Sequence, residues 1–154
     1  MNLYLVQHGE AKLETEDPQR PLTDEGHDDI ARLGELLARA RVSVGEVRHS
    51  GKRRAQETAS ILAPAVQPKR GVVSVAGLSP NDPVDPVAEE LGELDEDIML
   101  VGHLPHLGRL ATLLLTGHQE PSVLRFVPGT LARLDRSGFW SLACLIPPEL
   151  TQRG

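Results

Sequence analysis

Cysteine is almost missing from this sequence: Cys144 is the only one. No intrachain disulfide and no cysteine-based metal site can form from it. It sits in the apolar run 142–146, where a buried inert thiol is expected rather than a nucleophile. Aromatic residues are also scarce, at 3% of 154 residues, and the formal net charge is −6. A nucleic-acid binder needs a basic face and stacking platforms, so that class is set aside. Net charge says nothing about a single cleft, and a local basic pocket stays open. No stretch approaches the ~20 apolar residues of a membrane span, which argues against a membrane partner. The apolar residues ahead of Gln7 and His8 are too few for a signal-peptide core and lack a basic lead-in. The expectation is a cytoplasmic protein.

The composition that remains is ordinary for a globular chain, with 40% hydrophobic and 25% charged residues. The length suits one domain over residues 1–154, with no repeat, linker or low-complexity segment. Apolar runs and helical spacings alternate. Residues 3–6 read as a buried strand. Thr23 reads as an N-cap, with Asp24 and Glu25 favouring the helix dipole. Ile30, Leu33, Leu37 and Ala40 follow at helical spacing. Residues 46–49 are a weaker strand, and 52–65 a helix with Ala55, Ala59 and Leu62 on one face and Pro64 at its end. A strand at 72–75 precedes a short helix in which Asp85 is the cap and Pro86 the first residue. The strand 98–101 ends in Gly102 and His103, Pro105 opens a helix, and Gly117 stops it. Residues 131–134 and 140–146 then form a hairpin about Arg136, Ser137 and Gly138. The pattern predicts one three-layer α/β domain, with a mostly parallel central sheet and an antiparallel C-terminal hairpin at its edge.

Ligands bind such sheets beyond the carboxyl ends of the strands. Three predicted strands end in histidine, at His8, His49 and His103, and Gly9 and Gly102 let a ligand approach the backbone. The helix after His49 opens with Lys52, Arg53 and Arg54, and its N-terminus suits an anion. Taken singly, each feature has a plainer explanation. A strand-end histidine is more often a satisfied polar residue, and a basic triplet is usually a solvated turn. Thr58 and Gln56 read as helix-surface residues, and His27 and His118 receive no role. Joint placement at corresponding strand ends is what the plainer explanations do not predict.

Leu5-Val6-Gln7-His8-Gly9-Glu10-Ala11 resembles the opening strand and Arg-His-Gly signature of the histidine phosphatase superfamily. Arg20-Pro21-Leu22-Thr23 with Gly26 resembles the entry to that family's first helix. Ser50, followed by Arg54-Ala55-Gln56-Glu57-Thr58-Ala59, is similar to its Ser-x-x-x-Arg-Ala-x-x-Thr-Ala segment. Gly77-Leu78-Ser79-Pro80 and Val101-Gly102-His103-Leu104-Pro105 follow in the expected order. The likeness runs to the Pro147-Pro148 tail and is nearest to the small bacterial phosphohistidine phosphatases of the SixA type.

The resemblance implies a phosphoglycerate mutase-like fold and a metal-independent phosphatase. His8 would be the nucleophile, Arg54 the two-pronged phosphoryl ligand, and His103 a cation held protonated by the phosphate dianion. No cofactor and no metal are expected. Gln7 stands where the family has arginine, and exchanging a charge-assisted for a neutral bond costs about 1–2 kcal/mol. Arg20 is the candidate replacement, so the phosphate ligands expected are Gln7, Arg54, Arg20, His8 and His103. Asp82 and Glu10 are the candidates for a leaving-group acid. Without such an acid the expected partner is a phosphorylated protein carrying phosphohistidine, whose imidazole leaves near neutral pH unaided. The alternatives are a small phosphate ester as substrate, or a phosphate- or phosphoprotein-binding module in which Gln7 weakens catalysis. A zinc site from His8, His103 and His106 would lack ligands.

Overall fold

Strand β1 (Asn2–Gln7) is buried over nearly its whole length, because both of its faces are covered. Leu3 and Leu5 enter one hydrophobic cluster, while Tyr4 and Val6 enter another on the opposite side, as the two-residue period of a strand requires. The computed structural model describes residues 1–152. After β1 come α1 (Asp24–Arg39), β2 (Glu46–His49), α2 (Arg53–Val66), β3 (Val72–Ser74) and α3 (Asp85–Glu93). Then follow β4 (Ile98–Gly102), α4 (His106–Thr116), β5 (Leu131–Arg136), β6 (Trp140–Ile146) and a short 3-10 turn at Pro148–Leu150.

The sheet order is β3-β2-β4-β1-β5-β6. The first four strands in that order run parallel, with Leu5 opposite Leu100 and Val47 opposite Met99. β5 joins β1 antiparallel, with Val6 opposite Leu131, and β6 closes the edge with a bulge at Arg133/Leu134. Residues of α1 and α2 fill the cluster around Val6 and Met99, while those of α3 and α4 fill the one around Leu5 and Leu100. The result is the three-layer α/β domain with a parallel centre and antiparallel C-terminal hairpin that the sequence predicts.

Boundaries shift by a residue or two. Thr23 does cap α1, its side chain accepting the Gly26 N–H at 3.0 Å. Pro64 lies inside α2, which ends at Val66 with Gln67 in the left-handed region; a proline near a helix end removes only one ladder bond. Asp85 is the first residue of α3 rather than its cap, a place held by Val84. Gly117 stops α4 in the left-handed region, as expected. Gly26 allows α1 to meet the strand-β1 loop, since a Cβ there would lie 2.2 Å from the Glu10 carbonyl oxygen.

Candidate active site

The carboxyl ends of β2, β4 and β1 lie side by side: His49 pairs with Val101, and Gln7 with Gly102. His8 and His103 are the next residues out. The His8 N–H donates to the Gly102 carbonyl at 3.1 Å, and the two rings lie 5.0 Å apart between centroids, tilted by 49°.

His8 is buried, and its Nδ1 lies 2.7 Å from the Gly9 carbonyl oxygen. A carbonyl only accepts, so Nδ1 carries the proton and the neutral ring keeps its lone pair on Nε2. Burial pushes the His8 pKa down to about 4, with the Arg54 and Arg20 charges adding to it and the Gly9 carbonyl opposing. At neutral pH Nε2 is therefore free to attack an electrophile.

Arg54 is brought to this pocket by α2. Its Nε is buried without a hydrogen-bond partner, and among the described residues it has no carboxylate. No side chain caps the N-terminus of α2, so free backbone N–H groups add to the positive potential. The sharp turn into the helix uses Gly51 at φ 89°, whose N–H donates to His49 Nδ1 at 3.0 Å. His49 thus shapes the turn, and burial lowers its pKa.

Thr58 is a correction to the sequence expectation, which puts it on the helix surface. It is fully buried, receives the Gly9 N–H at 3.0 Å and donates to the Arg54 carbonyl at 2.8 Å. Its spacing from the buried Ala55 and Leu62, three residues before it and four after, turns it inward. Gln56 does lie exposed.

Gln7 is buried at the end of β1, and its Oε1 has no partner. Arg20 sits at φ 48°, in the left-handed region that non-glycine residues rarely adopt. Its Nε donates to the Lys12 carbonyl at 3.0 Å, and its charge acts on both His8 and Arg54. Strain of this kind collects at functional sites.

His103 is buried, with Nε2 2.6 Å from Ser50 Oγ and Nδ1 without a partner. Burial, followed by the His8, Arg54, Lys52 and His106 charges, lowers its pKa to about 3. The protein's own groups thus keep the ring neutral at neutral pH, and the protonated form expected from the sequence needs the charge of a phosphate dianion beside it. Lys52, from the basic opening of α2, acts on this ring; Ser50 is a site residue to which the sequence assigned no role, although it opens the motif that ends at Ala59.

The two candidate acids each accept a local hydrogen bond on one oxygen. Glu10 Oε1 accepts the Thr23 hydroxyl at 3.0 Å, and Asp82 Oδ2 accepts the Ser79 N–H at 2.9 Å. His106 is buried beside the Gly77 and Pro83 backbone. Among the described residues no group of three or more His, Cys, Asp or Glu could hold a metal ion, and no helix is long and apolar enough to cross a membrane.

Residues 3–78 match the family model described as histidine phosphatase superfamily (branch 1). The phosphohistidine phosphatase SixA of Escherichia coli (strain K12) is 27% identical over 145 residues, spanning 90% of this chain and 88% of that protein. A structure of the protein histidine phosphatase SixA complexed with tungstate superposes with a TM-score of 0.85 at 24% identity, covering 99% of this chain and 100% of the other. The alpha-ribazole phosphatase from Shigella flexneri shares the fold as well, with a TM-score of 0.78, 20% identity and coverage of 96% and 97%. The motifs in order, the strand-end histidines and these likenesses converge: residues 3–78 match the histidine phosphatase superfamily, and the chain as a whole is similar to SixA in sequence and fold.

Proposed function

We propose that this chain hydrolyses phosphohistidine on a protein, in a single cytoplasmic domain, through a covalent phosphohistidine on its own His8. The observation that carries this is the His8 tautomer: the Gly9 carbonyl holds the proton on Nδ1, so the Nε2 lone pair is available. In the first step Nε2 bonds to phosphorus, and the leaving imidazole of the substrate departs with the bonding pair and takes up a proton. In the second, water attacks the phosphoryl group, the N–P bond breaks back to His8, and phosphate is released.

The equatorial oxygens gain charge at both stages. Arg54 offers its two-pronged guanidinium, the start of α2 its N–H groups, and His103 a proton once the dianion has arrived. Arg20 supplies the cation that Gln7 lacks, since its field already reaches His8 and Arg54. The buried Gln7 amide then contributes its N–H to the phosphoryl group.

Two observations favour a protein substrate over a small ester. Each candidate acid is held by a local hydrogen bond, and a leaving imidazole depends less on an enzyme acid than an alkoxide does. Next to His103 in the chain, Leu104 is exposed and Pro105 borders a groove of about 380 Å3 that also takes in Pro121, Leu124 and Phe126. A protein segment flanking the phosphohistidine can rest there.

The test compares a phosphohistidine protein, an aryl phosphate and a panel of small phosphate esters on the purified protein. A kcat/KM at least a hundredfold higher for the phosphohistidine protein is expected, unchanged by EDTA. A preference for one small ester transfers the assignment to metabolite hydrolysis, and phosphate binding without turnover of any substrate points to a binding module.

A further inference from the structure

We propose that Ser50 is a positioning residue for His103, its hydroxyl accepting the Nε2 proton of that ring and steadying the imidazolium form. The role rests on the reading of His103 as the cation of the occupied site. The Oγ–Nε2 distance is 2.6 Å, while Nδ1 of the same ring is buried with no partner. A neutral imidazole carries one proton, on one nitrogen or the other. A buried N–H with no acceptor is rarer and costlier than a buried acceptor with no donor. The proton therefore sits on Nε2 and is donated to Ser50.

Ser50 Oγ also receives the Lys52 N–H at 3.3 Å. Both of its acceptor positions are then used, and its own proton is left to turn toward the pocket. The hydroxyl is held in place by its neighbours. It lies between the end of β2 and the start of α2, in the turn that Gly51 makes and His49 braces.

The groups acting on His103 are His8 from β1, Lys52 and Arg54 at the start of α2, and His106 from α4. All four oppose a positive ring, and no carboxylate is among them. Ser50 is the neutral acceptor for one N–H of the charged ring, and the bound phosphoryl group is the acceptor for the other, on Nδ1. A hydrogen bond to a cation is stronger than one between neutral groups, so its loss lowers the pKa of His103 in the phosphate-bound enzyme. The alkaline limb of kcat follows that pKa and moves to lower pH, by about one unit.

The experiment has two arms. Nitrogen-15 NMR of the His103 ring in the ligand-free wild type reports which nitrogen carries the proton and needs no variant. The pH dependence of kcat on an aryl phosphate is then compared among wild type, Ser50→Ala and Ser50→Thr. The proposal expects the Nε2–H tautomer, a limb displaced about one pH unit toward acid in Ser50→Ala, a kcat that falls at alkaline pH more than KM rises, and recovery in Ser50→Thr. A wild-type ring protonated on Nδ1, or a folded Ser50→Ala enzyme with an unmoved limb, overturns it. Absence of any turnover in the wild type counts against the phosphatase assignment instead, while the NMR arm still decides the role of Ser50.

Discussion

Thr58 Oγ1 takes the Gly9 N–H at 3.0 Å and gives its own proton to the Arg54 carbonyl at 2.8 Å. One hydroxyl thus ties the loop that carries His8 to the helix that carries Arg54. Thr58→Val keeps the shape but leaves the buried Gly9 N–H unpaired, which costs about 1–3 kcal/mol. Urea denaturation is expected to show that loss, and kcat is expected to fall with it as His8 loses its fixed place. Unchanged stability and kcat would mean that the two elements are held together by packing alone.

Four buried histidines, His8, His49, His103 and His106, have pKa values pushed below the ordinary range, by burial first in each case. In the unfolded chain each titrates near about 6.5. Below that pH the unfolded chain takes up protons that the folded chain refuses, so stability falls as pH falls. The decline runs from about 6.5 through about 4 for His8 and about 3 for His103; above pH 7 these groups give no slope. Calorimetry between pH 7.5 and 4, intervals on the order of half a unit, should show a Tm that is level and then drops. A Tm level throughout would contradict the buried neutral rings.

The same shift bears on the reaction. The acid limb of kcat/KM reports the free enzyme, and a neutral His8 is expected to place it near 4 rather than near 6.5. Phosphate binding should take up a proton as His103 becomes charged. Calorimetric titration with inorganic phosphate in two buffers of different ionisation heat measures that uptake, and a buffer-independent heat would contradict it.

Arg20 and Gln7 make a paired prediction. Arg20→Ala removes the charge felt by His8 and Arg54 and should lower kcat/KM for an aryl phosphate by roughly tenfold. Gln7→Arg in that background is expected to restore it, whereas Gln7→Arg alone crowds a site already supplied and leaves activity flat or lower. A tenfold gain from Gln7→Arg alone would show that the vacancy is unfilled, and no effect of Arg20→Ala would remove Arg20 from the site.

The alternation of strands and helices, the C-terminal hairpin and the histidines at strand ends were legible because they rest on short-range patterns. The apolar run before Gly102 and the spacing of Ala55, Ala59 and Leu62 each state their own element and face. Thr58 was misplaced because a threonine on a helix looks the same in sequence whether it faces water or a glycine N–H 49 positions away. Ser50 was passed over for a similar reason, since its partner His103 lies 53 positions on. The states of His8 and His103 were not legible either, because desolvation depends on which chain segments close over each ring.

The central claim is a phosphoryl group carried on His8 Nε2. Rapid quenching with a phosphorus-labelled substrate, followed by mapping of the label, tests it most directly. Acid-labile, base-stable phosphate on His8 in the wild type, absent from a folded His8→Ala protein that also lacks turnover, is the predicted result. Label on His103 or any other residue, or near-normal turnover in His8→Ala, would contradict it.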